Sequence, residues 1–198
     1  MGSDTSAKAP AAPRRRDPAA RRRAIVAAAS ELLVEGGGDL THRRVADRAA
    51  VPLGATTYYF SSLDELREEA LALLGRELED ALVEFRGDVA VSAGNPVAIA
   101  AFTHTYLSDR HRVGVDTALY LEALRQPHLR ELAVRWFDGV VETLSAWTDP
   151  AYARSVAVYM DGAALHAMLH DEPLDLDTIT RAVVALMPPR DRTTEEHA

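Results

Sequence analysis

Arginine is the residue whose placement in this sequence most suggests chemistry. Arg14, Arg15 and Arg16 form one run, Arg21, Arg22 and Arg23 a second, and Arg43, Arg44 and Arg48 follow. A guanidinium forks two N–H groups onto a phosphate and keeps its charge at any ordinary pH. Residues 1–60 carry a net +4 and the remainder −12, which together give the overall −8. A basic head on an acidic body predicts that the head alone meets a polyanion and that the body is repelled by it. Lys8 is the sole lysine, and a genome-wide preference for arginine would produce the same excess.

The second half of the chain offers a different set. Phe102, His104, Tyr106, Tyr120, Trp136, Tyr159 and Met160 are the types that line an apolar cavity with a few polar groups, the usual small-molecule site. At helical spacing they equally suit a plain core. Asp161, beside Gly162, is a candidate partner for a cationic group, or else a carboxylate exposed at a kink. His166 and His170 lie four residues apart with Asp171 and Glu172 adjacent. That spacing suits a metal, but no third ligand is evident, so no metal is expected. There is no cysteine, which excludes disulfides, thiolate metal sites and cysteine nucleophiles. Nucleophile elbow, HExxH and phosphate loop are all missing, so neither an enzyme nor a cofactor is expected.

The elements that must hold these residues are helical. Ile25, Ala28, Ala29, Leu32 and Leu33 trace one face after Asp17-Pro18, a cap followed by proline at the first helical position. Gly36-Gly37-Gly38 ends that helix. Thr41 caps a short second helix, and Pro52-Leu53-Gly54 leads into a third over about Ala55 to Phe60. Ser62 to Glu65 reads as a capping box for a long fourth helix reaching about Arg86, roughly 35 Å at 1.5 Å per residue. Further helices are predicted from Asn95-Pro96, over Asp116 to Arg125, from Pro127 through Leu144, from Asp149-Pro150 to about His170, and from Asp175 or Asp177. The expectation is an all-α chain of about nine helices. It divides into a disordered basic arm (1–16), a helix-turn-helix module (17–61), a ligand-binding and dimerisation bundle (62–188) and a flexible tail (189–198). No apolar run approaches the roughly 20 residues a membrane span needs. No apolar segment follows the arginine runs as an export signal requires, so a cytoplasmic protein is expected.

Residues 18–60 hold too few large apolar groups to fold alone, so the head must lean on the long fourth helix. A short helix, a tight turn and a second short helix form helix-turn-helix geometry, whose second helix fits a major groove about 12 Å wide. From Leu40 to Leu66 the residues LTHRRVADRAAVPLGATTYYFSSLDEL resemble the TetR family of transcriptional repressors. The threonine cap, Val-Ala, the Ala-Ala-Val turn, Gly54, the aromatic pair, Phe60 and the acidic-Leu start of helix four all stand in order.

The resemblance implies a DNA operator, a small-molecule effector and a homodimer. Thr41 would cap helix two and touch a phosphate, with His42, Arg43 and Arg44 near the backbone or the groove edge. Gly54 would let the chain approach closely. Leu53, Ala55, Thr57 and Tyr58 would reach base edges or sugars, and Tyr59 stands where a phosphate-binding histidine is usual. Phe60 and Thr56 would point inward. Leu63 replaces the usual phosphate-binding lysine and Pro52 the usual polar cap. Arg14 to Arg16 in the minor groove, with Arg21 to Arg23 on the backbone, would compensate. If they do not, the chain would be a ligand-binding protein that has lost specific DNA binding. Helices eight and nine would pair with their copies. Independently, Ala151, Ala153, Ala157, Gly162, Ala163, Ala164 and Ala167 put small groups around much of helix eight, as burial on more than one side requires.

Overall fold

The computed structural model describes residues 17–36 and 39–188. Every regular element among them is helical, and the helices follow the capping chemistry closely. α1 (Pro18–Glu35) opens with Asp17 accepting from the Ala19 and Ala20 amides and closes at Gly36, whose φ of 65° is the left-handed turn glycine tolerates. α2 (His42–Arg48) is capped by Thr41 Oγ1, which accepts from the Arg44 amide. α3 (Leu53–Tyr59) starts at Pro52 without a side-chain cap. α4 (Leu63–Val91) begins with Ser62 accepting from the Glu65 amide. The Glu65 carboxylate reaches back one residue beyond the cap, to the Ser61 amide and hydroxyl.

α5 (Pro96–Ser108) and α6 (Arg110–Arg125) are capped by Asn95 and Asp109. α6 therefore starts six residues before the predicted position, because Asp109 accepts from the His111 and Arg112 amides. The expected single helix from Pro127 to Leu144 is divided. A 3-10 turn over Pro127–Leu129 runs into α7 (Arg130–Ala133), and α8 (Arg135–Ser145) follows a loosened turn at Val134. α7 lies on α6, with Leu132 seated at Gly75 of α4, whereas α8 packs between α4 and α9. One straight rod would not satisfy both beds. α9 (Pro150–His170) and α10 (Leu176–Leu186) complete the chain. The predicted eighth and ninth helices are thus α9 and α10.

Two buried apolar clusters share α4. The smaller joins Ile25, Ala29 and Leu32 of α1 with Val45, Phe60 and, from α4, Leu66 and Ala70. The larger gathers Leu71, Leu74, Leu78, Leu82 and Phe85 of α4 with residues of α5, α6, α8, α9 and α10. The head packs on the first two turns of α4 for the reason the composition gave: α1 to α3 alone cannot enclose a core. Ion pairs reinforce the seam. Arg22 of α1 pairs with Glu69 of α4 while its guanidinium lies 4.9 Å from the Phe60 ring centre. Arg67 of α4 is held by Glu122 of α6 at 2.7 Å, with both side chains largely buried. No helix among the described residues is long and apolar enough to cross a membrane.

Candidate functional site

The sequence pointed to two sites, one in the head and one in the body. In the head, the rotation of α3 is fixed by Thr56 and Phe60, both fully buried, with Phe60 packed in the cluster that α1 and α4 share. Leu53, Gly54, Thr57 and Tyr58 consequently face outward, and Ala55 and Tyr59 are half-buried. Tyr58 stands edge-on to Tyr59 with ring centres 5.0 Å apart. Thr41 and Arg43 are exposed at the start of α2. Arg44 donates to the Asp39 carbonyl at 2.7 Å, so part of its guanidinium is committed to the loop. His42 is half-buried, with an Nδ1 that has no hydrogen-bond partner. Arg14, Arg15 and Arg16 lie outside the described residues.

Several head arginines serve the fold. Arg48 bridges Glu31 and Glu35 of α1 at 3.1 and 2.7 Å. This pairing raises the Arg48 pKa and lowers that of Glu35. Arg22 is taken by Glu69. Among the described residues, Arg21 and Arg43 have no ion-pair partner and Arg23 has a carboxylate, Asp17, only at 4.0 Å.

In the body, a cavity of about 1010 Å³ opens between α4, α5 and the start of α6. Phe102 and Tyr106 wall it, with Glu84 and Asp88 on one side and Asp109, Arg110, His111 and Arg112 on the other. Tyr106 stacks on Trp136 with ring centres 4.8 Å apart and planes 11° from parallel, and Phe85 lies against both Phe102 and Trp136. Behind this wall the Tyr106 hydroxyl donates to Asp116 at 2.5 Å. Tyr120 donates to Asp161 at 3.1 Å.

Burial pushes the Asp116 pKa up to about 7. The Tyr106 hydrogen bond opposes that shift, and the nearby Asp161 charge adds to it. Burial likewise lifts Asp161 to about 6 against the Tyr120 bond. Both phenols are raised, chiefly by burial. A buried carboxyl, Asp116, thus lies near a half-buried one, Asp161, with no ion pair to either among the described residues. An unpaired buried charge is costly, and an entering cation would relieve that cost.

Phe102, Tyr106, Tyr120, Trp136 and Asp161 belong to this aromatic and carboxyl cluster. Met160 is buried in the large core, and Tyr159 lies against that core with its hydroxyl unpartnered. His104 is half-buried on α5 and does not line the cavity. Sequence reasoning missed Asp116 and the cavity residues Glu84, Asp88 and Arg112. The one available signal was Asp116 four residues before Tyr120, a carboxylate flanked by Val113, Val115 and Leu119 on an otherwise apolar face. His166 and His170 stack with ring centres 4.2 Å apart. Among the described residues no group of three His, Asp or Glu side chains is placed to hold a metal.

Comparison with known proteins now bears on both sites. Residues 97–189 match the family model for a Tetracyclin repressor-like, C-terminal domain. No curated protein matches the chain. Among solved structures, a TetR-family member from Streptomyces coelicolor A3 (SCO1917) is 35% identical. That alignment covers 85% of this chain and 98% of the other, with a TM-score of 0.70. The multidrug binding protein EbrR complexed with ethidium is also 35% identical, covering 85% of this chain and 99% of its own, with a TM-score of 0.66. A transcriptional regulator from Rhodococcus sp. Rha1 is 25% identical over 83% of this chain and 92% of its own, with a TM-score of 0.62. With the helix-turn-helix head, the shared core on α4 and these likenesses over nearly the full length of the relatives, the chain belongs to the TetR family of transcriptional regulators.

Proposed function

We propose that this protein is a cytoplasmic repressor that binds a palindromic DNA operator as a homodimer and is released by a small organic cation. The observation that carries the reading is the position of α6. This helix holds Asp116 and Tyr120 of the carboxyl cluster, and two residues before Asp116 it presses Gly114 onto Val34 of α1. At Gly114 a Cβ would meet Val34 Cγ1 at 2.6 Å, so backbone and head are in direct contact. A ligand that reorders Tyr106 and Asp116 therefore acts on an element that touches the head. Coupling through such a contact is worth about 1–3 kcal/mol in typical cases, a 5–150-fold change in affinity.

The effector class follows from the cluster. The buried Asp116 and half-buried Asp161 carboxyls, with no ion pair to either among the described residues and lying behind stacked Phe102, Tyr106 and Trp136, suit an aromatic cation that gains from both ring stacking and charge. EbrR is crystallised with ethidium, proflavin and malachite green, all aromatic cations. On the DNA side, the exposed side of α3 with Arg21, Arg43 and the loosely paired Arg23 supply groove and phosphate contacts.

Selection and sequencing of genomic fragments bound by the full-length protein tests the reading. A palindrome with half-sites one helical turn apart is expected, with a steep salt dependence. Proflavin or ethidium should lower operator affinity at least fivefold. Recovery of random DNA alone would favour a ligand-binding protein without specific DNA binding, and tight operator binding indifferent to both dyes would remove the cationic effector.

A further inference from the structure

The outward side of α3 presents apolar and phenolic groups and no charged or amide side chain. Leu53 is 52% exposed and Tyr58 80% exposed, although α3 is only two turns long. Thr57 has its hydroxyl turned to the Gly54 carbonyl at 3.3 Å, so its proton is used within the helix. Guanine is read in the major groove by Arg or Lys, adenine by Asn or Gln, and cytosine by Asp or Glu. None of these residue types occurs between Leu53 and Phe60. Isobutyl, methyl and phenol groups are presented instead. Thymine alone shows an apolar group in that groove, its C5 methyl.

We propose that Leu53, Thr57 and Tyr58 read thymine methyl groups, so the bases beneath α3 in each operator half-site are specified as thymines by apolar contact. This rests on the DNA-reading function proposed above and adds the base chemistry it uses. The rotation of α3 makes the assignment specific. With Thr56 and Phe60 locked inside, Leu53, Gly54, Thr57 and Tyr58 make up the broad exposed side of α3, and Ala55 and Tyr59 are half-buried at its edges. Tyr59, edge-on against Tyr58, braces the Tyr58 ring away from the protein. The exposed arginines of the head stand on α1 and α2, not on α3, so phosphate contact falls to them and the base edges to α3.

The test replaces thymine with deoxyuridine, which differs only by the missing methyl, at each half-site position of the selected operator. Binding of the full-length protein is followed by fluorescence anisotropy. At two or three positions per half-site, affinity is expected to fall about fourfold per methyl, the worth of one buried methylene-sized group. Leu53→Ala is expected to abolish the penalty at one of those positions while weakening the thymine operator itself. Because Leu53 is exposed, its loss leaves the fold intact, which circular dichroism verifies. Replacing half-site guanines beneath α3 with 7-deazaguanine is expected to change nothing there. An operator bound equally well with uracil throughout, or a uracil penalty that survives both Leu53→Ala and Tyr58→Ala, overturns the inference and leaves DNA reading in place. A protein that selects no operator overturns both.

Discussion

Asp116 has the environment least visible from its neighbours in sequence. It lies near Val113, Val115 and Leu119 in sequence, and among the described residues its carboxyl is hydrogen-bonded by the Tyr106 hydroxyl alone. Its pKa rises from 3.8 in the unfolded chain to about 7 in the fold. Between those values the folded protein keeps a proton that the unfolded chain has released. The resulting stability is complete below pH 3.8 and is lost as pH rises towards 7. Asp161 acts in the same sense up to about pH 6. Glu35, Glu65 and Asp175 have lowered pKa values and act oppositely, so the effect is best read as a difference. Asp116→Asn, whose amide oxygen can still accept from Tyr106, is expected to remove the Asp116 component. Relative to the parent, its stability should improve between pH 5 and pH 8 by about 2–4 kcal/mol, at about 1.4 kcal/mol per pKa unit. Urea unfolding at four pH values measures this, and parallel curves for the two proteins would show that Asp116 does not titrate in that window. The same variant should bind proflavin weakly at every pH, whereas the parent should lose affinity as Asp116 protonates below about pH 7.

Among the elements, α6 has the most consequential neighbours, since it touches α1, α4, α7 and α9 as well as the cavity. Gly114→Ala isolates its contact with the head. Alanine raises helix propensity by about 1 kcal/mol, but its Cβ would lie 2.6 Å from Val34 Cγ1, and overpacking costs about 1–3 kcal/mol. Thermal stability is expected to change little or fall slightly. Operator affinity should fall about tenfold as α1 is displaced, and the dye response should shrink. Unchanged affinity with an unchanged dye response would exclude the Gly114–Val34 contact as the route.

The elements also show which signals a sequence carries. Asp17-Pro18, Thr41, Ser62, Asn95-Pro96 and Asp149-Pro150 cap helices where they were expected to, because a cap is a local bargain between a side chain and the next few amides. The start of α6 was not legible. Arg110, His111 and Arg112 resemble a polar loop until Glu77 and Glu84 of α4 are there to hold His111 and Arg112. The break at Val134 was hidden because the apolar period runs unbroken from Leu129 to Leu144, and only the separate beds of α7 and α8 require it. The cavity wall has the same character. Periodicity puts Phe102 and Tyr106 on α5, but that they face a void rather than a filled core depends on the distance to α4.

At the scale of the whole molecule, α9 is buried on one side by Ala153, Val156, Ala157, Met160 and Ala163. It is nevertheless apolar on the other, where Tyr152, Val158, Leu165 and Leu169 are exposed. Leu165 is 55% and Leu169 73% exposed, apolar surface that pairing with another helix would remove from water. Gly162 lies on the same face with nothing within 4 Å of where a Cβ would stand, leaving room for a close approach by another helix. Exposed Leu176 and Val184 of α10 extend the apolar surface. A two-fold pairing of this surface with its copy would bury these side chains and fix two heads at a set spacing, which a palindrome with half-sites about 34 Å apart requires. Leu165→Glu therefore has a definite expected outcome. The side chain is exposed in the subunit, so helicity should be retained, but a charge placed in the paired face should shift the protein to monomer in sedimentation. A monomer reads one half-site at a time and loses the effective-concentration gain of linked heads, so operator affinity should fall about a hundredfold. Binding to a single isolated half-site should change little, which separates loss of pairing from damage to α3. A Leu165→Glu protein that remains dimeric with full operator affinity would place the pairing surface elsewhere, and the exposed leucines of α9 would then need another partner.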